Sequence, residues 1–245
     1  MLSFFKRHSA PLSKPLLADM HSHLLPGLDD GVQTLEDAID LIGQFSRLGY
    51  KKLITTPHIM SDFYRNDKES ITSRLEEVRN AMNSEGLSIQ LDAAAEYYLD
   101  EALMEKVMND QPLLCFGNKL VLFETNFLTE PFQLKEFIFN ATTKGYKLVL
   151  AHPERYQYLI GDIEKAEDLR NRGVLFQINI PSIVGAYSRP IQKFAQQLIN
   201  KGWVDFLGSD CHNQMQMDIL KGAMKDKYFV KATNLALMNQ SLITV

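Results

Sequence analysis

The chain has 245 residues, 45% apolar and 23% charged, with a formal net charge of −4. That is the make-up of an ordinary soluble globular protein, long enough for one large domain or two small ones. No basic block is longer than the Lys6-Arg7 pair, which argues against nucleic-acid binding as the main task. No apolar run reaches the ~20 residues needed to span a bilayer. Residues 1–7 carry their charges after their apolar residues, unlike a signal peptide. Cys115 and Cys211 give no disulfide framework. These features point to the cytoplasm.

Taken in order, Leu16-Leu17-Ala18 reads as a short buried strand leading into the stretch from Asp19 to Gly31. His21 and His23, two apart on an extended backbone, face the same way, and Asp30 follows in the turn Asp29-Asp30-Gly31. Thr34 can cap a helix whose apolar face is Ala38, Ile39, Leu41, Ile42, Phe45 and Leu48, ended by Gly49. Residues 52–56 read as a strand closed by Pro57-His58, then a polar loop and a helix over 68–84. A strand over 88–95 ends in Glu96-Tyr97-Tyr98, and residues 100–108 are helical. The strand 120–123 ends at Glu124, and Pro131 can start a helix running to Gly145. The strand 146–150 ends in Ala151-His152-Pro153-Glu154-Arg155. A helix over 163–171, a strand over 174–179, a helix over 190–200 and a strand over 204–207 follow, the last ending in Gly208-Ser209-Asp210-Cys211-His212. Residues 228–239 read as a closing helix.

Seven short apolar strands alternating with helices imply parallel strands joined by right-handed crossovers. In such folds the ligand site lies at the carboxyl ends of the strands. Five of the six histidines, all but His8, fall in motifs at strand ends. An open doubly wound sheet would gather a few of them; a closed ring gathers all at one mouth. The expected fold is therefore α/β, a single distorted seven-stranded parallel β/α barrel of TIM-like form over residues 16–245, preceded by an arm, residues 1–15.

Nine candidate metal ligands result: His21, His23, Asp30, His58, Glu96, Glu124, His152, Asp210 and His212. One catalytic metal needs about three protein ligands, so nine suffice for two or three divalent ions. Such ions lower the pKa of a shared water towards 7 and clamp attacking and leaving oxygens. Coordinating imidazoles must be neutral, which predicts loss of metal below about pH 6. Arg155 could add bidentate contact to a phosphoryl group; Arg65, in the loop after His58, is a further cation for substrate binding. Tyr97, Tyr98 and Tyr156 could wall the site. A cysteine phosphatase needs an arginine six residues after its cysteine; those positions hold Val121 and Met217. Neither a Gly-x-Ser-x-Gly elbow nor a Walker loop is present. Cys211, between Asp210 and His212, points away from them and packs.

The motifs Asp-Met-His-Ser-His with Leu-Asp-Asp-Gly, Thr-Thr-Pro-His, Ala-Glu-Tyr-Tyr, Ala-His-Pro-Glu-Arg-Tyr and Gly-Ser-Asp-Cys-His-Asn resemble the PHP (polymerase and histidinol phosphatase) superfamily. Within it they most resemble the CpsB/YwqE-like branch, bacterial metal-dependent protein-tyrosine phosphatases linked to capsule and exopolysaccharide synthesis. The resemblance runs from Leu17 to the C-terminus and implies a distorted seven-stranded β/α barrel, the PHP fold. It implies one metal on His21, His23, Glu96 and Asp210, a second on Glu96, Glu124 and His152, and a third on Asp30, His58 and His212, with Arg155 orienting the phosphate. It suggests manganese (Mn2+), although zinc or iron would suit these ligands. The implied substrate is phosphotyrosine on the tail of a bacterial tyrosine autokinase, attacked directly by metal-activated water. Two departures stand out: Gln214-Met215-Gln216-Met217 lacks an arginine that some relatives carry, and residues 1–15 precede the motif that usually starts the chain. The alternatives are a small-molecule phosphoesterase, such as a histidinol-phosphate phosphatase, and a non-catalytic metal-binding module. The complete ligand set argues against the latter. The sequence leaves the oligomeric state open.

Overall fold

The computed structural model describes residues 13–244; most of the expected N-terminal arm lies outside the described residues. The strands are β1 (Ala18–Asp19), β2 (Lys52–Thr55), β3 (His58–Ile59), β4 (Gln90–Ala93), β5 (Glu96–Tyr98), β6 (Leu120–Glu124), β7 (Lys147–Ala151), β8 (Leu175–Asn179) and β9 (Phe206–Gly208). They form two parallel sheets, ordered β1-β2-β4 and β3-β5-β6-β7-β8-β9. The parallel β/α architecture is as expected, but two of the seven expected strands are broken. Residues 52–59 divide at Pro57, which has no N–H to extend the ladder, and residues 90–98 divide at Ala94-Ala95. Single hydrogen bonds carry the stagger across: Thr56 N to Ser22 O at 2.7 Å, Ala94 N to Thr55 O at 2.9 Å and Glu96 N to Pro57 O at 3.1 Å.

The ring does not close through a continuous ladder. At the carboxyl ends its first and last segments meet in a parallel bridge between Ser22 and Cys211, with Asp210 N donating to His21 O at 2.8 Å and His23 N to Cys211 O at 2.9 Å. Below that, the Asp19 carboxylate accepts from the Ser209 amide at 2.8 Å and its hydroxyl at 2.9 Å. At the amino ends the buried Asn239 side chain fills the gap. Its Nδ2 donates to Ala18 O at 3.0 Å and Leu207 O at 2.8 Å, and its Oδ1 accepts from Leu207 N at 3.0 Å. One amide thus replaces the missing backbone partner between β1 and β9.

The helices are α1 (Leu35–Arg47), α2 (Lys68–Ser84), α3 (Glu101–Met108), α4 (Leu134–Thr143), α5 (Ile163–Asn171), α6 (Ile180–Ile183), α7 (Arg189–Lys201), α8 (Gln214–Ala223) and α9 (Lys227–Thr233). Thr34 caps α1 as expected, through Asp37 N. Helix α4 starts at Leu134, three residues after Pro131, and Gln133 at its N-terminus makes no side-chain cap. Helices α6 and α8 were not expected, and the closing helix stops at Thr233, freeing Asn239 for the gap. No helix among the described residues is long and apolar enough to cross a membrane. Alternation along the strands separates two apolar clusters. The larger, with Phe45, Phe123, Phe137 and Phe176, joins strands to helices. The smaller takes alternate strand residues, Ala18, Ile54, Leu122, Val149 and Phe206, and fills the ring interior with Phe116 and Leu242.

Candidate metal centre

All nine expected ligands converge at the carboxyl ends of the strands, around a cavity of about 470 Å³. His21 and His23 lie beneath it, fully buried. Glu96 is the hub. Its Oε2 lies 3.0 Å from His21 Nε2, 3.3 Å from His23 Nε2 and 3.3 Å from His58 Nδ1, and its Oε1 lies 3.1 Å from His152 Nε2. Glu124 approaches His58 Nδ1 at 3.1 Å and His152 Nε2 at 3.9 Å. Asp210 Oδ1 lies 3.4 Å from His21 and 3.6 Å from His23. Asp30 Oδ1 lies 3.5 Å from both His58 Nε2 and His212 Nε2. Ligand-type atoms gather in four groups: His23, Asp30, His58 and His212; His21, His23 and Glu96; His21, His152 and Asp210; His58, Glu96 and Glu124.

Local backbone geometry aims these side chains. His152 and Asp210 both take left-handed conformations, φ 34° and 50°, just after β7 and β9; such strain in non-glycine residues clusters at functional sites. Gly31 is required by close approach: a Cβ there would lie 2.3 Å from His23 O. At Gly208 a Cβ would meet Gln177 Nε2 at 2.6 Å and His21 Cβ at 2.8 Å.

The supporting residues were not singled out from sequence. Asp29 Oδ2 accepts from His23 Nδ1 at 2.6 Å and from His58 N at 3.0 Å. Gln177 Oε1 accepts from His21 Nδ1 at 2.7 Å. Asn179 Nδ2 donates to Asp210 Oδ2 at 2.6 Å and Gln177 Nε2 donates to Asn179 Oδ1 at 2.8 Å. With Nδ1 engaged in this way, His21 and His23 each direct Nε2 at the cluster, as metal-binding histidines do. The only sequence signal was position: Asp29 beside Asp30, and Gln177 and Asn179 alternating on one strand face.

The electrostatics are those of protons standing where cations would bind. Burial acts to depress the His21 pKa, but Glu96 and Asp210 outweigh it and raise it to about 9. His23 is raised well above its ordinary value, burial being overcome chiefly by Asp29. Glu96 and Asp210 are held well below the carboxylate range, their burial outweighed by His21. His152 is lowered, by burial and then by Arg155. Protons therefore compete with metal chiefly at His21 and His23. The donor set fits divalent cations. Ligand atoms about 2.0–2.2 Å from one ion lie roughly 3–3.5 Å apart, and most contacts here fall between 3.0 and 3.6 Å. His152 Nδ1 is buried without a hydrogen-bond partner.

Arg155 reaches the same cavity, Nη1 donating to Asp210 Oδ2 at 3.1 Å. Arg65 does not line it: its Nε donates to Ser61 O at 2.8 Å and it borders a separate groove with Tyr97 and Lys106. Tyr98 lines the cavity; Tyr97 and Tyr156 are buried in the core. Cys211 packs in the core as expected.

Fold and site together define a class: parallel β/α-ring proteins with a histidine-carboxylate cluster at the strand-end mouth. The chain belongs to the capsular polysaccharide synthesis CpsB/CapC family, which matches residues 17–226. The tyrosine-protein phosphatase YwqE of Bacillus subtilis is 25% identical over 197 residues, 80% of this chain and 78% of that protein. The tyrosine-protein phosphatase CpsB of Streptococcus agalactiae is 26% identical over 202 residues, 80% of this chain and 83% of that protein. A crystal structure from a study of YwqE of Bacillus subtilis and CpsB of Streptococcus pneumoniae, described as metal-dependent tyrosine phosphatases, superposes with TM-score 0.78 at 22% identity, covering 93% of this chain and 91% of that one. An amidohydrolase from Mycoplasma synoviae shares the fold more loosely, with TM-score 0.56 at 11% identity, covering 95% and 91%.

Proposed function

We propose that this protein is a metal-dependent protein-tyrosine phosphatase acting in the cytoplasm on a bacterial tyrosine autokinase tail, with two to three divalent ions, manganese foremost. The observation that carries the reading is the joining of a nine-ligand cluster to a cationic Arg155 on one cavity. Glu96, in reach of four imidazoles, would be the bridging carboxylate. Bound divalent metals supply Lewis acidity and a hydroxide nucleophile near neutral pH. Arg155 would hold the phosphoryl oxygens as charge develops on them. Tyr98 lines the same cavity and would border the phenyl ring. The phenolate, with a pKa near 10, is a fair leaving group.

Neither thiol suits a phosphocysteine route. Burial pushes Cys115 up to about 11 and Cys211 up to about 12, so neither is a thiolate at neutral pH. A protein substrate, rather than a small phosphoester, is favoured by the names of the relatives, which are tyrosine-protein phosphatases.

Side-by-side turnover of a phosphotyrosine peptide and histidinol phosphate, with metal analysis, tests the proposal. We expect hydrolysis of the peptide, lost on chelation and restored by manganese, retained in Cys115→Ser and Cys211→Ser and nearly absent in His21→Ala. Full activity after chelation, or an inert, folded and metallated Cys→Ser variant, would sink the mechanism. Preference for histidinol phosphate would sink the substrate assignment.

A further inference from the structure

The Arg155 guanidinium is held more firmly than its one ion pair requires. Its Cζ lies 4.7 Å from the ring centroid of Phe127 and 4.5 Å from that of Tyr187. Nη1 donates to Asp210 Oδ2. A guanidinium carries further N–H donors, and these have no protein acceptor among the described residues, although the side chain is only 25% exposed. Arg155 lines the cavity, so these N–H groups are open to an anion entering it.

The two rings have different supports. Phe127 stacks on Tyr156, with centroids 5.5 Å apart, and Tyr156 on Tyr158 at 5.4 Å. Gln157 N donates to Phe127 O at 2.8 Å, and the Tyr158 hydroxyl pairs with Thr125 Oγ1 at 2.8 Å. The segments after β6 and β7 thus form one rigid wall. Tyr187 comes from the segment between α6 and α7, and its hydroxyl donates to Asp210 Oδ2 at 3.4 Å. Two separately anchored rings thus approach the guanidinium, and Asp210 holds one of its nitrogens.

We propose that Phe127 and Tyr187 are positioning residues that clamp Arg155, so that its unpaired N–H groups meet the oxygens of a phosphoryl group in one fixed plane. This rests on the phosphatase reading of the site. A loose arginine would lose rotamer freedom each time it bound the anion; here that freedom is lost on folding. The rival role for the same rings is direct stacking on the substrate's phenyl ring.

Inorganic phosphate separates the two roles, because it has no phenyl ring. Its binding to the manganese-loaded protein is measured by calorimetry for Phe127→Leu, Tyr187→Leu, Tyr187→Phe and Arg155→Lys. The Phe127 and Tyr187 changes are repeated in an Arg155→Ala background, with metal content and phosphotyrosine-peptide turnover recorded for each. Both leucine variants should weaken phosphate binding roughly 5- to 30-fold, the span of a desolvated cation–π contact, at unchanged metal content. Tyr187→Phe, which keeps the ring, should stay within about 3-fold. Arg155→Lys keeps the charge but cannot lie flat between rings, and should lose as much as the leucine variants. In the Arg155→Ala background the ring changes should have no further effect. Wild-type phosphate affinity in both leucine variants, or losses that add in full to that of Arg155→Ala, would overturn the clamp. Phosphate affinity that follows the clamp without turnover of any phosphomonoester would leave the clamp standing and defeat the phosphatase reading.

Discussion

Replacing Asp29 by asparagine tests whether the cluster is built from behind. Three donors converge on this carboxylate: His23 Nδ1 at 2.6 Å, His58 N at 3.0 Å and Gly31 N at 2.9 Å. An asparagine of the same shape must turn its NH2 towards at least one of them in either orientation. A buried donor facing a donor costs roughly 1–3 kcal/mol. The carboxylate also orients the His23 ring and raises its basicity as a ligand, and loss of such a partner typically costs about 10–100-fold in metal affinity. In chelated protein the effect on stability is larger. His23 is then protonated, its pKa raised well above the ordinary value, so the change breaks a buried ion pair, at roughly 3–5 kcal/mol. For a chain of this size that is a fall in melting temperature of roughly 6–20 °C. Competitive chelator titration gives the affinity, and melting with and without chelator gives the stability. An Asp29→Asn protein that binds manganese as tightly as wild type, and melts at the same temperature when chelated, would refute the reasoning.

The pH dependence of stability should reverse sign on metal removal. In chelated protein His21 has a folded pKa of about 9, raised from 6.5, so its stabilising contribution is full below about pH 6.5 and lost as pH rises through 9, on the order of 3 kcal/mol. Asp19, raised to about 7 by burial against its Ser209 hydrogen bonds, acts in the same direction as pH rises to neutrality. Metal-loaded protein should gain stability over the same interval, because deprotonated imidazoles bind metal more tightly. Melting curves from pH 6.5 to 9 with chelator and with manganese check this, and parallel slopes would contradict it. Asn239→Leu should destabilise the chain by roughly 3–5 kcal/mol, since it leaves Leu207 N, Leu207 O and Ala18 O buried without their partner. Denaturant unfolding measures the loss, and a change under about 1 kcal/mol would show that the gap between β1 and β9 closes without it.

Much of this molecule is legible locally. Strand and helix positions follow from apolar periodicity and caps, as Thr34 before α1 and the Asp67–Ser70 capping box before α2 illustrate. The ligands were legible because parallel strands deliver polar residues to one end: Glu124 closes β6, His152 follows β7 directly, and His21, His23, Asp210 and His212 follow β1 and β9 within four residues, while His58 and Glu96 open β3 and β5, the continuations of the two broken strands. Helix α8, Gln-Met-Gln-Met-Asp-Ile-Leu-Lys-Gly-Ala, was missed because it takes its cap from Asn213, directly beside the site motif, and has no acidic residue in its first turn to mark its start.

What no local pattern carries is which distant polar groups meet. Asp29 beside Asp30 looked like a turn, yet it orders His23 and His58. Gln177 and Asn179 lie 156 and 31 residues from the histidine and aspartate they hold. Asn239 completes hydrogen bonds 221 residues away. Arg65 and Arg155 both follow site histidines, and only the fold separates them: one turns back to its own loop carbonyl, the other enters the cavity between two rings. The amino-acid sequence by itself determined the alternation of strands and helices and the chemistry at each strand end, because backbone periodicity acts over a few residues. Only the tertiary structure decided the hydrogen-bond partners, ring closure and the clamp, because those depend on directed contacts between segments that meet only once the ring has formed.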